Sequence, residues 1–251
     1  MKAYYNENNP FCANWLRNLI KKNYLPDGDV DERSIEDVNP EDLNGYSQCH
    51  WFAGIGGWSL ALKMAGWPEH VEVWTASPPC QPFSSAGKNK GYDDERNLTP
   101  KWLELVKQCQ PANIFGEQVA GAFTNQKYNW IDDLQNALEN ENYATGKIVL
   151  PTCSVGGSHI RQRGWFFAHT EWNKQQQKKS CSGKIGRMGR VEQSFSWNES
   201  WQSALSFFRA LDDGIPRCVE ATDAARNAIV PQVAAEVINA FIETINENLQ
   251  E

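Results

Sequence analysis

Gln48-Cys49-His50-Trp51-Phe52-Ala53-Gly54-Ile55-Gly56-Gly57, followed about one helix and one strand later by Pro78-Pro79-Cys80-Gln81, is the stretch on which the reading of this chain turns. Gln48 to Phe52 reads as a buried strand running into a loop with glycine at 54, 56 and 57. Trp58 to Ala65 reads as the next helix, closed by Gly66 and Pro68. Free backbone N–H groups at such a helix start, together with its dipole, favour polar or anionic ligand groups. Glycine also lets a ligand approach the main chain closely. A tight strand-to-helix turn needs glycine for steric reasons alone, so the loop by itself is consistent with either reading.

Outward from this stretch, strand and helix patterns alternate. Lys2 to Asn6 reads as a strand and Phe11 to Lys22 as a helix with Phe11, Trp15, Leu16, Leu19 and Ile20 on one face. A turn at Pro26-Asp27-Gly28-Asp29 leads to an extended piece near Val30 to Ile35. Strands are expected at Val71 to Ala76, Ala112 to Phe115, Lys147 to Leu150 and Gly164 to Ala168. Helices are expected at Lys101 to Gln108, Ile131 to Glu139 and Val230 to Ile245. This alternation implies an α/β fold, a mostly parallel sheet covered on both faces. Residues from about 170 to 210, rich in Lys, Gln, Ser, Gly and Trp, break the rhythm and read as a small lobe.

The chain has 251 residues, enough for one large core. No run of about 18 apolar residues occurs, so no membrane partner is expected. The opening residues lack the apolar stretch of a secretory signal. Seven scattered cysteines without CxxC spacing argue for a reducing, cytoplasmic setting, against a disulfide framework and against a structural metal site. The net charge of -7 does not by itself point to nucleic acid. Its distribution does: Ser158 to Arg190 carries eight Lys/Arg (161, 163, 174, 178, 179, 184, 187, 190) against the single acid Glu171. A basic segment in an acidic protein fits a local phosphate-binding face, and equally a solvated loop.

Cys80 follows a strand, where open α/β sheets place their sites, and the flanking prolines stiffen its turn. A thiol there is a candidate nucleophile if its thiolate is stabilised; the plain alternative is an inert, half-buried cysteine. Glu117, in Gly116-Glu117-Gln118-Val119, is expected just after a strand at the same sheet edge. A carboxylic acid there could deliver a proton to a substrate nitrogen if burial raises its pKa. Arg161 and Arg163, in His159-Ile160-Arg161-Gln162-Arg163, occupy alternate positions before a strand and so point the same way, suited to a phosphate or carboxylate.

Taken together, these residues resemble the DNA cytosine-5 methyltransferase family. There, FxGxGG opens the S-adenosylmethionine site, PCQ carries the nucleophile, a Glu-Asn-Val tripeptide the acid, and QxRxR supports both. Here they read Phe52 to Gly57, Pro79-Cys80-Gln81, Glu117-Gln118-Val119 and His159-x-Arg161-x-Arg163. Asn227-Ala228-Ile229-Val230-Pro231 is similar to the family's last cofactor element, with Arg226 where glycine is usual. Gly87-Lys88-x-x-Gly91-x-x-Asp94-x-Arg96 is similar to its mobile segment after the nucleophile.

The resemblance implies a Rossmann-like methyltransferase sheet. It assigns Cys80, Glu117, Arg161 and Arg163 to catalysis, the two arginines in support. It implies cofactor contacts from Phe52, Ala53, Gly54, Ile55, Gly56, Gly57, Glu7, Asn8, Asp31, Pro79, Asn227, Ala228 and Ile229. DNA contacts are expected from Ser84, Ser85, Lys88, Arg96, Lys178, Lys179, Lys184, Arg187 and Arg190. The implied reaction moves a methyl group from S-adenosylmethionine to C5 of a flipped-out cytosine in double-stranded DNA, through a covalent adduct of Cys80 with C6. A tRNA cytosine methyltransferase and a non-catalytic DNA-binding derivative are the alternatives. A monomer is expected, and a cognate restriction endonuclease is an allowed partner.

The family normally places an acid for the ribose and an aspartate near the adenine between the glycine loop and the nucleophile. Only one helix and one strand fit there. Tyr5-Asn6-Glu7-Asn8-x-Pro10 and Val30-Asp31-x-Arg33-Ser34-Ile35, both upstream, are similar to those two elements. A circular permutation is therefore expected, a deleted, cofactor-deficient remnant being the alternative, with a catalytic domain over 1–168 (1–46 the second and third cofactor strands, 47–168 the loop, nucleophile and acid). A small target-recognition region over 169–215 and a returning element over 216–251 complete the expected layout.

Overall fold

The structure, a computed structural model, describes residues 2–79, 97–124, 130–156, 161–170, 224 and 227–248. Cys80 and its following segment fall outside these residues, as does the expected target-recognition region from 171 onward.

Seven strands form one sheet: β1 (Lys2–Asn6), β2 (Gly28–Asp31), β3 (Tyr46–Trp51), β4 (Val73–Ala76), β5 (Asn113–Val119), β6 (Tyr143–Pro151) and β7 (Gln162–Thr170). Their order is β2-β1-β3-β4-β5-β7-β6. The five strands from β2 to β5 run parallel, and β7 is antiparallel to both its neighbours. If β3 is counted as first, β1 as second and β2 as third, the order becomes 3-2-1-4-5-7-6. That is the doubly wound arrangement, whose ligands sit beyond the carboxyl ends of the strands where the winding reverses.

Alternation along the strands sorts the core into two layers. Tyr4, Trp51, Trp74, Ile114 and Phe166 face α3 (Thr99–Cys109) and α5 (Trp130–Asn140), where Trp102, Leu105, Ile131 and Leu134 pack. On the other face, Tyr5 meets Trp15, Leu16 and Leu19 of α1 (Pro10–Lys21). There too Phe115 and Trp165 meet Trp58 of α2 (Gly57–Met64) and Val237 and Phe241 of α6 (Pro231–Asn248). A one-turn α4 (Gly121–Thr124) links β5 towards α5.

Three elements differ from expectation. The extended piece after the first turn stops at Asp31, and Ile35–Asp37 forms a short 3-10 turn capped by Ser34. β5 runs on to Val119, because β7 pairs with it residue by residue from Asn113↔His169 to Val119↔Arg163. Glu117 therefore lies within the strand and not after it. β6 is longer than its short apolar run suggested, and as an edge strand it leaves Ile148 and Val149 exposed.

The tightest point is Gly116, where an added Cβ would overlap the ring of Phe166. Phe166 is buried and boxed in by Trp102 and Trp130, so it cannot yield. Gly116→Ala is expected to destabilise by about 1–3 kcal/mol, lowering the thermal midpoint by several degrees. Gly121→Ala, which meets open space, should leave it unchanged. Equal midpoints for the two variants in a melting experiment would contradict this packing.

Candidate active site

The register of the parallel strands sets the site. Asn6 pairs with Trp51, Trp51 with Ala76, and Ala76 with Gly116. The next residue in each strand or its continuation is Glu7, Phe52, Ser77 or Glu117. These four start from one row at the carboxyl edge of the sheet.

Glu7 joins two of the segments. One carboxylate oxygen accepts the N–H of Gly54 at 2.7 Å, and the other that of Asn9 at 2.9 Å. Asn9 in turn caps α1, its side chain accepting from Phe11 N and Cys12 N. Burial raises the Glu7 pKa, and the two backbone bonds pull it back.

The loop after β3 turns through left-handed backbone at Phe52, Gly54 and Gly56. Gly57 is fixed by packing, since a Cβ there would lie 2.7 Å from Cγ1 of Ile229. The C-terminal element thus seats directly on the loop.

A cavity of about 460 Å³ opens over this row. Of the residues to which the resemblance assigns cofactor contacts, Glu7, Asn8, Phe52, Ala53, Gly54, Ile55, Gly57, Pro79, Asn227, Ala228 and Ile229 line it. Two expected contacts do not. Gly56 serves the turn and packs against Leu25 and Leu16. Asp31 is held by Arg33 and by the Tyr4 hydroxyl (2.7 Å to each), and these bonds outweigh burial and lower its pKa. Ile35 lines the cavity from that side instead.

Trp58, Ser77, Leu98, Phe11 and Cys12 also line the cavity and were not singled out in the sequence. The position of Trp58 in the first helical residues after the loop was the available signal. A second cavity, about 400 Å³, opens near Tyr46, Cys49, Glu72 and Cys109 and is lined by none of the described motif residues.

Glu117 is 7% exposed, on the face of β5 that meets α2 and α6. Arg163 places Nε 2.6 Å from its Oε1, although that oxygen receives no hydrogen bond of good geometry. Burial pushes the Glu117 pKa up to about 7, against the opposing pull of Arg163, Arg161 and the Ser77 hydroxyl. Beside it, buried Gln118 donates from Nε2 to the Pro78 carbonyl at 3.1 Å and accepts Val119 N–H at 2.9 Å. Two consecutive prolines offer no N–H, so a carbonyl is what the turn before Cys80 has to offer as an anchor. Cys80, Ser84, Ser85, Lys88, Arg96, Lys178, Lys179, Lys184, Arg187 and Arg190 lie outside the described residues.

The sequence model of the C-5 cytosine-specific DNA methylase family matches residues 66–206, more than half of the chain. The chain belongs to this family. Among curated methylases it is similar to the type II methyltransferase M.AplI of Arthrospira platensis, 27% identical over 49% of this chain and 45% of that protein. It is also similar to M.NgoMIV of Neisseria gonorrhoeae, 32% identical over 39% of this chain and 31% of that protein. The chain spans about half or less of the length of these relatives. Among solved structures, S. pombe Dnmt2 methyltransferase is similar at 15% identity, with a TM-score of 0.40, over 81% of this chain and 63% of that chain.

Among the described residues no helix is long and apolar enough to cross a membrane, and no cluster of metal-binding side chains occurs.

The raised pKa of Glu117 has a stability consequence. Its folded value, about 7, lies above the ordinary 4.5, so its contribution is fully present below about pH 4.5 and is lost as pH rises through 7. The loss amounts to about 3 kcal/mol. Glu117→Gln removes this dependence, so the melting temperature of the variant relative to the native protein should rise between pH 4.5 and pH 8. A difference that stays constant over that range would contradict the burial of this acid.

Proposed function

We propose that this protein transfers a methyl group from S-adenosylmethionine to C5 of a cytosine extruded from double-stranded DNA. The observation that carries the reading is a buried acid, its pKa raised by burial, one strand away from the turn leading into Cys80 and beside a cavity walled by the glycine loop. Family membership supports the same chemistry.

The cavity suits that cofactor by its size and its donor set. Sites for small molecules run to about 300–1,000 Å³, and this one holds about 460 Å³. Glu7 offers a carboxylate whose oxygens each keep a lone pair beyond the bonds already made, suited to hydroxyl groups. Phe52, Ile35, Leu98 and Ile229 offer apolar walls for a ring, and the glycine turn offers main-chain contact. Bound there, S-adenosylmethionine would supply an electrophilic methyl group.

The chain's own residues do the rest. Burial raises the pKa of three described thiols: Cys12 is pushed up to about 12, and Cys49 and Cys109 are also raised. Cys80, at the carboxyl side of β4, is the thiol assigned to attack C6 of cytosine. Glu117 gives its proton to N3 as the carbon–sulfur bond forms, leaving C5 electron-rich. After methylation, loss of the C5 proton expels the thiolate. The base must leave the duplex to meet these groups, at a few kcal/mol of unstacking. Arg163 and Arg161 hold Glu117 in place, and the basic segment up to Arg190 supplies phosphate contacts.

We further propose that the chain is circularly permuted relative to the family's usual motif order. In support, the two strands carrying Glu7 and Asp31 precede the glycine loop yet occupy the second and third positions of a doubly wound sheet. The family match beginning at residue 66, past the loop, agrees with that order. Such a rearrangement leaves every packed contact intact.

Cys80→Ser is expected to abolish methyl transfer to duplex DNA and covalent trapping by 5-fluorocytosine DNA, while S-adenosylmethionine binding by calorimetry persists. Glu7→Ala should weaken that binding tenfold or more. Normal methylation without the sulfur would overturn the mechanism, and unchanged cofactor affinity in Glu7→Ala would overturn the permuted site.

A further inference from the structure

Ser77 and Trp58 have no part in the motifs, yet they stand between the cavity and the acid. The register places Ser77 beside Glu117: Ala76 pairs with Gly116, and the following residues project to the same face. That face is the one α2 covers, and the indole Nε1 of Trp58 donates to the Ser77 Oγ at 3.0 Å. With its oxygen accepting that bond, the hydroxyl keeps its own proton to give. Both residues also line the cavity.

We propose that Ser77, held by Trp58, is a positioning residue that donates to Glu117 and fixes the orientation in which this acid meets the base. The inference rests on the function proposed above. It gives the tryptophan N–H at the cavity wall a role: with one lone pair of the serine oxygen engaged by the indole, the hydroxyl proton is left for its other neighbour. The Ser77 hydroxyl acts to lower the Glu117 pKa, in the same direction as Arg163 and Arg161, which are the charged groups acting on Glu117 among the described residues. From α2 the group brought to this assembly is the neutral indole.

If Glu117 works in its protonated form, the rate falls as pH rises through its pKa. Losing a hydrogen bond that favours the carboxylate raises that pKa and moves the alkaline limb upward.

The experiment is the single-turnover rate of methyl transfer to duplex DNA from pH 6 to 9, for the native protein, Ser77→Ala, Ser77→Thr and Trp58→Phe. Ser77→Ala is expected to shift the alkaline limb upward by about 0.5–1 pH unit. Ser77→Thr, which keeps the hydroxyl, should restore the native profile, and Trp58→Phe should shift it the same way by less. A native profile in Ser77→Ala, with or without a change in cofactor affinity, makes Ser77 a mere cavity wall and overturns the proposal. Equal shifts in Ser77→Thr and Ser77→Ala also overturn it. A native protein that transfers no methyl group and forms no 5-fluorocytosine adduct defeats the underlying function instead.

Discussion

The row Asn6–Trp51–Ala76–Gly116 is the constraint on which the site depends. Parallel pairing fixes the level at which four strands reach the carboxyl edge, and each then delivers one side chain or turn to the same place. A one-residue slip in any of these strands would send its contribution to the opposite face. The apolar neighbours oppose such a slip. Tyr4, Trp51 and Trp74 belong to one layer, and Tyr5 and Phe115 to the other, so a slip would set side chains of the wrong size into both layers, for example His50 in the place of Trp51.

Placing an acid at that edge has an electrostatic cost, and the structure offsets only part of it. Two arginines and a hydroxyl favour the charged form of Glu117, while burial opposes it more strongly. A fully paired carboxylate would be a poor proton donor, and an unpaired one would stay neutral far above physiological pH. The balance leaves a group that can either hold or release a proton near neutrality, which is what general acid work requires.

Much of the fold was legible because it is written in strong local signals. β1, α1, the glycine loop and α2 carry apolar periodicity bounded by Pro10, Gly66 and Pro68. The cavity-lining residues in loops next to those elements were legible for the same reason. What escaped was set by tertiary pairing. Gly116-Glu117-Gln118 has no strand character of its own, and beyond Gly116, which also pairs with Ala76, its ladder with β7 makes it one. Asp31 has the residue type and spacing of a ligand contact, yet Arg33 two residues on and Tyr4 on the neighbouring strand capture it. Ser77 and Trp58 were invisible as a pair, because nineteen positions separate them and α2 must fold back over β4 before the indole reaches the hydroxyl.

The order of the motifs along the chain matters less than the surfaces they must present. Ile229 shows this most directly. It comes from the C-terminal element, packs onto Gly57 of the loop after β3, and lines the same cavity as Glu7 from the end of β1. Three distant stretches of sequence therefore close one volume, and none of these contacts depends on which stretch is synthesised first. What they require is that Gly57 carry no side chain and that Glu7 reach the Gly54 N–H across the β1–β3 pairing. A sheet that satisfies both conditions tolerates its second and third strands being moved ahead of its first, because the connections change at the surface while the packed interior does not.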